Sequence, residues 1–229
     1  MDTPIDRNIL AMNDFRADSG YGAIAQVESY WEGLRGNRLV PKRSEIDPRG
    51  IEMALELSFV LERIAPGMAR LRIAGSHLGD LMGMEVRGMP LTSFITPNGR
   101  RALGDTLEEV FQRPAICELE LTGEGGFGKP DLEARMILLP LKSDLGDISR
   151  VLGCLVSKGD MGKKPRRFDI TKTTMRAIEA PATVPTPIHV IEAETLGQQL
   201  AGLAEDAAVF KQRTSTPEKP YLRLVKNED

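Results

Sequence analysis

Few residues of this chain have the types and spacing that metal binding or nucleophilic catalysis requires. Its only histidines, His77 and His189, are isolated, and no Cys-x-x-Cys or His-x-x-x-His pair occurs. Cys117 and Cys154 occupy apolar positions of strand-like runs without a basic neighbour, so we expect two buried, inert thiols. The sequence therefore predicts no metal site and no redox switch.

The glycine-rich stretch 123–128 lacks the Lys-Ser/Thr pair of a phosphate-binding loop and lies between two strand-like runs, so we predict a hairpin turn there. The chain has no Gly-x-Ser-x-Gly motif, and the spacing of its carboxylates marks no acid/base pair. It is predicted not to be an enzyme. The enzymatic alternative would combine an Asp or Glu with His77 in a cavity between sheet and helices.

Composition indicates a globular protein, with 41% hydrophobic and 28% charged residues. The formal net charge of −3 argues against a protein that binds nucleic acid through phosphate contacts. The sequence contains no run of about 18 apolar residues and no apolar signal-peptide core. We therefore expect no membrane span. Because two cysteines do not make a disulfide framework, we also expect a cytoplasmic protein.

The elements that would position any site lie mostly in residues 56–157. In chain order we predict strands at 57–61 and 71–73, short helices at 76–82 and 91–95, a longer helix at 97–111, and strands at 114–121, 132–141 and 147–157. The turn at residues 65–67 favours an antiparallel pairing of the first two strands. Leu71 and Ile73 alternate with arginines, so both are expected on the buried face. Ser76 and Thr96 are expected to cap the helices that follow them.

Two further amphipathic stretches flank this core. In residues 23–35 the apolar positions recur at helical spacing, and the helix is expected to pack on its own sheet or to pair with a second chain. Residues 163–167 are basic and are followed by several prolines, as in a solvated linker. A second helix is predicted at 194–213, either packed back on the core or in a dimer. A short strand-like tail follows at 221–225.

A family resemblance rests on Tyr30-Trp31, Leu34-Arg35-Gly36, Arg38 and the connector Pro41-Lys-Arg-Ser-Glu-Ile-Asp-Pro48. This opening resembles that of stand-alone PAS-like proteins common in alphaproteobacteria, over roughly residues 22–160. The order of the predicted elements is also that of a PAS domain.

The resemblance implies an α+β fold, with a PAS-like five-stranded antiparallel sheet, helices on one face, and flanking N- and C-terminal helices. Its last strand would lie centrally, and the strands of the two cysteines would not be neighbours. The implied domains are a flexible arm (1–20), an N-terminal helix with its Pro-containing connector (21–50), the PAS-like core (51–160), and a linker, helix and tail (161–229).

The resemblance implies a sensory or regulatory module, and no cofactor is predicted. The chain has neither the Asn-Cys-Arg-Phe motif of flavin-binding members nor a histidine on the helix at 97–111 for haem. The predicted module holds a small apolar ligand, or none, between sheet and helices. The pocket would be lined by Phe59, Leu71, Ile73, Ser76, His77, Leu81, Met82, Phe94, Leu103 and Leu107.

A protein partner or a second copy of the chain would bind through 23–35 and 194–213, and the signal would be a change in helix packing or dimerisation. The alternative is a protein-interaction adaptor with an occluded core, in which the basic run 163–167 and the amphipathic helices make the contact.

Overall fold

The computed structural model describes residues 20–178, which form a six-stranded antiparallel sheet with helical segments on both faces. In chain order the helices and strands are α1 (Gly22–Arg35), β1 (Ser58–Ala65), β2 (Met68–Ala74), α2 (Ser76–Met82), α3 (Arg100–Gln112), β3 (Ala115–Gly123), β4 (Leu132–Lys142), β5 (Ile148–Gly159) and β6 (Phe168–Ala177). Short 3₁₀ helices lie at Arg43–Glu45, Pro48–Leu57, Leu91–Phe94 and Pro97–Gly99. Within the described range, no helix is long and apolar enough to cross a membrane.

The strands are arranged in the order β2-β1-β5-β4-β3-β6. The predicted antiparallel β1–β2 hairpin is confirmed, and its turn contains Gly67 at a positive φ of 66°. The glycine-rich stretch 123–128 connects β3 to β4, which pair antiparallel, as predicted. β5 lies between β1 and β4, and the side chains of its nearly continuous apolar run are buried in separate clusters on the two faces of the sheet.

The sheet has six strands, and the prediction of five was wrong. Residues 168–177, which lie in the predicted linker, helix and tail region 161–229, pair with β3 along its length, from Gly123↔Phe168 to Ala115↔Ala177. β6 lies at the edge of the sheet and most of its side chains are exposed, so its sequence lacks the apolar alternation of an inner strand. The predictions for 1–19, for His189, for the helix at 194–213 and for the tail at 221–225 lie outside the described residues.

The face of the sheet that packs against α2 and α3, here called the inner face, carries the larger apolar cluster. The helix predicted at 97–111 corresponds to α3, whose buried stripe includes Leu103, Leu107 and Val110. Neither predicted cap forms. Thr96 donates its hydroxyl to the Asp169 carboxylate on β6, a charge-assisted bond that replaces capping. Ser76 is the first residue of α2 and is exposed, without a capping bond.

The opposite face, here called the outer face, is covered by α1 and the connector that follows it. Of the apolar positions that recur at helical spacing in 23–35, Ile24, Val27 and Trp31 are buried against the sheet, whereas Leu34 is only partly buried. The structure thus has α1 packed on its own sheet, the first of the two predicted arrangements. Pairing of α1 with a second chain stays a prediction.

Candidate functional site

Seven of the ten predicted pocket residues meet on the inner face. Each is at most 6% exposed, and together they come from β1, β2, α2, the 3₁₀ helix Leu91–Phe94 and α3. They are Phe59, Leu71, Leu81, Met82, Phe94, Leu103 and Leu107. Strand alternation and helical spacing therefore identified side chains that share one cluster. That they surround a ligand stays a prediction.

The space over the central strand is taken by an aromatic ring. Phe59 of β1 pairs with Gly153 of β5, and a Cβ placed on Gly153 would come within 2.2 Å of the Phe59 ring. Glycine at this position therefore lets the ring lie against the strand, which explains a glycine inside an otherwise apolar run. The ring and the strand are in direct contact at this point of the inner face.

The prediction that Ile73 lies on the buried face was wrong. Ile73 is 51% exposed and lines a cleft of the outer face. The β1–β2 register shifts between Val60, which pairs with Ile73, and Leu61, which pairs with Leu71. This irregularity leaves Arg72 as an extra residue and reverses the alternation after it. A single inserted residue in a strand leaves no mark in the sequence pattern.

His77 lies at the edge of the inner cluster and connects two elements. Its Nε2 is 3.0 Å from the hydroxyl oxygen of Ser157 on β5, so α2 is tied to the sheet across 80 residues of sequence. Burial lowers the pKa of His77 below its ordinary value of 6.5, and the charge of Asp80 partly opposes this effect. A neutral imidazole bonded to a hydroxyl is a structural link. Among residues 20–178, no three potential ligands are grouped to hold a metal ion.

The two cysteines are free and lie on opposite faces, as their separate clusters show. Cys117 of β3 belongs to the inner cluster and Cys154 of β5 to the outer one, and β4 separates their strands. Burial raises the pKa of both thiols to about 12, so neither is a thiolate near neutral pH. The prediction of buried, unpaired cysteines is confirmed.

The sequence did not identify Arg166 as a buried residue, because it belongs to the basic run predicted to be solvated. Its side chain is fully buried and donates to the carbonyl oxygens of Met161 and Pro130, each at 2.8 Å. Its backbone N–H donates to the carbonyl of Leu81 in α2, also at 2.8 Å. Arg166 therefore fastens the connector before β6 to α2 and to the β3–β4 loop. Nothing in a run of five charged and proline residues distinguishes it from its neighbours.

The outer face carries a cleft of about 320 Å³ beside the β2 edge, here called the outer cleft. Its walls come from the connector and the 3₁₀ helix Pro48–Leu57 on one side, and from β1, β2 and β5 on the other. The lining is mostly apolar and includes Ile46, Ile51, Val60 and Ile73, with Arg43 among them. No sequence signal had placed these residues together.

Comparison with curated proteins gives no significant match. A family model described as a PAS domain matches residues 21–156, from the start of α1 to nearly the end of β5, which is more than half of the chain. The matched range contains five strands and the helices on both faces, in the order expected from the sequence. The chain therefore belongs to the PAS domain family.

Proposed function

We propose that this protein is a non-enzymatic regulatory module that signals by changing how α1 packs on the outer face of the sheet. PAS domains are in general sensory or regulatory modules rather than enzymes, which supports the general class. The observation that carries the specific proposal is the attachment of α1. Besides its apolar packing on the outer face, this helix makes directed contacts to three separate parts of the sheet and connector.

Each contact joins α1 to a different element. The indole N–H of Trp31 donates to the carbonyl of Pro140 on β4 at 2.9 Å, in a buried bond. Glu28 forms an ion pair with Arg176 of β6. The Tyr30 hydroxyl accepts from the backbone N–H of Asp47 at 2.7 Å and donates to the Asp47 carbonyl at 3.1 Å. A movement of the sheet or of the connector is therefore transmitted to one helix.

The signal in this proposal is a small apolar ligand on the inner face, among the seven buried side chains named above. Such a ligand shifts α1 only if it binds one arrangement of the helix more tightly than the other. In the dimeric version the released apolar face of α1, or residues 194–213, pairs with a second copy.

The second candidate function is a protein-interaction adaptor with an occluded core. The contact between Phe59 and Gly153 favours it, because an aromatic ring already occupies the space over the central strand. The exposure of Leu55 and Ile73 on the outer side also favours it, because exposed apolar side chains beside a cleft are typical of docking surfaces.

Native mass spectrometry of the purified full chain, followed by denaturation and identification of released compounds, separates the two candidates. A stoichiometric small molecule supports the sensor, and a clean apo mass supports the adaptor. Trp31 is the only tryptophan of the chain and lies on the buried side of α1, against the sheet, so its emission reports the packing of that helix. In the sensor, removing and restoring the compound shifts the Trp31 emission. An unchanged spectrum contradicts signalling through α1.

The dimeric version has its own test. Light scattering after size-exclusion chromatography gives the mass of the full chain and of a variant ending at Ile178. A full chain that is a monomer at every concentration, with and without the released compound, removes dimerisation from the proposal.

A further inference from the structure

The outer cleft combines an apolar floor with a basic border. On the floor, Val60 pairs with Ile73 on one side and with Leu152 on the other, so these three side chains form one row across β2, β1 and β5. Ile46 and Ile51 form the facing wall. The row is apolar and Ile73 remains half exposed, so burying it against a ligand's hydrocarbon is favourable.

The next row along the same strands is charged. Glu62 pairs with Arg70 and with Arg150, two positions from the apolar row and therefore about 7 Å away on the same face. Arg70, Arg72 and Arg150 all form ion pairs with the Glu62 carboxylate, at 2.8, 3.2 and 2.8 Å. Three guanidinium groups share one carboxylate, so this border carries an excess of positive charge.

Arg43 adds a cation inside the cleft itself. It is partly buried and lines the otherwise apolar wall, and its guanidinium has no hydrogen-bond or ion-pair partner among residues 20–178. The neighbouring Arg38 differs, since it pairs with Glu45. A guanidinium in this position can bind a carboxylate through two parallel hydrogen bonds.

We propose that the outer cleft binds a free medium-chain carboxylate, with the hydrocarbon on the Val60–Ile73–Leu152 row and the carboxylate on Arg43. The volume of about 320 Å³ is at the lower end of the range for small-molecule sites and suits a single short chain. The basic border attracts an anion to this part of the face. The site lies on the opposite side of the sheet from the inner cluster, so the proposal does not depend on a ligand there.

The test is a titration of the full chain with decanoate, measured by isothermal calorimetry, with decanol as the uncharged comparison. Decanoate is expected to bind with 1:1 stoichiometry and at least about tenfold more tightly than decanol, since a charged hydrogen-bond pair is lost in decanol. Arg43→Gln should weaken the affinity for decanoate by about the same factor and leave the affinity for decanol unchanged. The matched control is Arg49→Gln, an exposed arginine of the same connector outside the cleft lining.

A second variant tests the apolar row without disturbing the core. Ile73→Glu places a negative charge against the hydrocarbon of the bound decanoate, whose own carboxylate is also negative, and should abolish decanoate binding. Ile64→Glu is its control, because Ile64 is similarly exposed on β1 but does not line the cleft. Both positions are half exposed, so both variants should fold, as circular dichroism would show.

The proposal is overturned by any of three results. The first is that decanoate shows no saturable binding. The second is that decanoate binding survives Ile73→Glu and therefore lies elsewhere. The third is that decanoate and decanol bind with equal affinity and Arg43→Gln has no effect. A cleft that serves only to dock a partner protein would give the first result.

Discussion

The two faces of the sheet are covered in different ways. On the inner face, side chains from several elements interlock, and Phe94, Leu103 and Leu107 are all fully buried. On the outer face, one helix and its connector pack on a smaller apolar cluster and are also held by a few directed bonds, and an open cleft remains beside them. Substitutions on the inner face should therefore act mainly on stability, and those on the outer face on the position of α1.

The largest expected effect comes from the inner face. Phe94→Ala removes a fully buried ring and should lower the free energy of unfolding by about 3–5 kcal/mol, because the cavity it leaves is closed in by neighbouring elements. Phe127→Ala is the matched control. Phe127 is 98% exposed in the β3–β4 loop, so its removal should change stability by less than about 0.5 kcal/mol. Urea unfolding measures both, and equal effects would contradict the assignment of the core.

The second prediction concerns Arg166, which ties the connector before β6 to α2 and to the β3–β4 loop at the inner face. Arg166→Met keeps an apolar stem but leaves the carbonyl oxygens of Met161 and Pro130 without their donors, at an expected cost of about 2–3 kcal/mol. Lys163→Met removes an exposed cation from the same basic run and should have almost no effect. If the two variants unfold at the same temperature, Arg166 does not fasten the connector before β6 to α2 and the β3–β4 loop.

The cysteines offer a direct comparison of the two faces, because Cys117 reports the inner cluster and Cys154 the outer one. Trp31→Phe removes the bond to Pro140, which should reduce the free energy needed to lift α1 by about 1–3 kcal/mol. Labelling of Cys154 by a thiol reagent should then be roughly 5- to 150-fold faster.

Single-cysteine variants, Cys117→Ala and Cys154→Ala, separate the two rates. Cys117 should be labelled only slightly faster in Trp31→Phe, since its cluster does not include α1. Equal acceleration at both thiols would show that the two faces open together, as one cooperative unit, and would remove α1 as an independently moving part.

The sequence predicted the inner face better than the outer face for a physical reason. Burial on the inner face imposes strand alternation on β1 and helical spacing on α3, so seven of the ten predicted wall residues share that cluster. The resemblance of residues 22–160 to PAS-like proteins supplied the central position of the last of the five predicted strands and the separation of the two cysteine strands. The outer cleft depends instead on how the connector folds back, as the docking of Asp47 on Tyr30 shows, and connectors carry no periodic signal.

Errors arose where local geometry departs from a regular repeat. Ile73 lies on the outer face and not on the predicted buried face, because the register shifts at Arg72. Thr96 does not cap a helix because it bonds to Asp169 of β6, a strand that the sequence did not predict. β6 escaped detection because an exposed edge strand needs no apolar alternation. Arg166 is the converse case, since a buried arginine that donates to backbone carbonyls looks like any charged residue in sequence.

The smallest expected effect concerns His77, which links α2 to β5 at the rim of the inner face. Its pKa is lowered by burial in the folded protein, so below its ordinary value of 6.5 the unfolded chain binds more protons than the folded one. Stability should therefore be fully present above pH 6.5 and fall as the pH decreases toward the lowered folded-state pKa. Asp80, the charge that faces His77, reduces the loss without reversing its sign.

His77→Gln should remove this pH dependence, seen as a smaller difference between urea midpoints at pH 7.5 and 5.5. His189→Gln, the control, replaces the only other histidine and should keep the difference of the unsubstituted protein. Thiol labelling can place the effect on one face, because protonation of His77 weakens the contact of α2 with β5. The rates are compared with that of unfolded protein labelled at the same pH, because acid lowers the reactive thiolate fraction everywhere. On that scale Cys117 should lose more of its protection in acid than Cys154, and the opposite order would mean that α1 and not α2 is the pH-sensitive element.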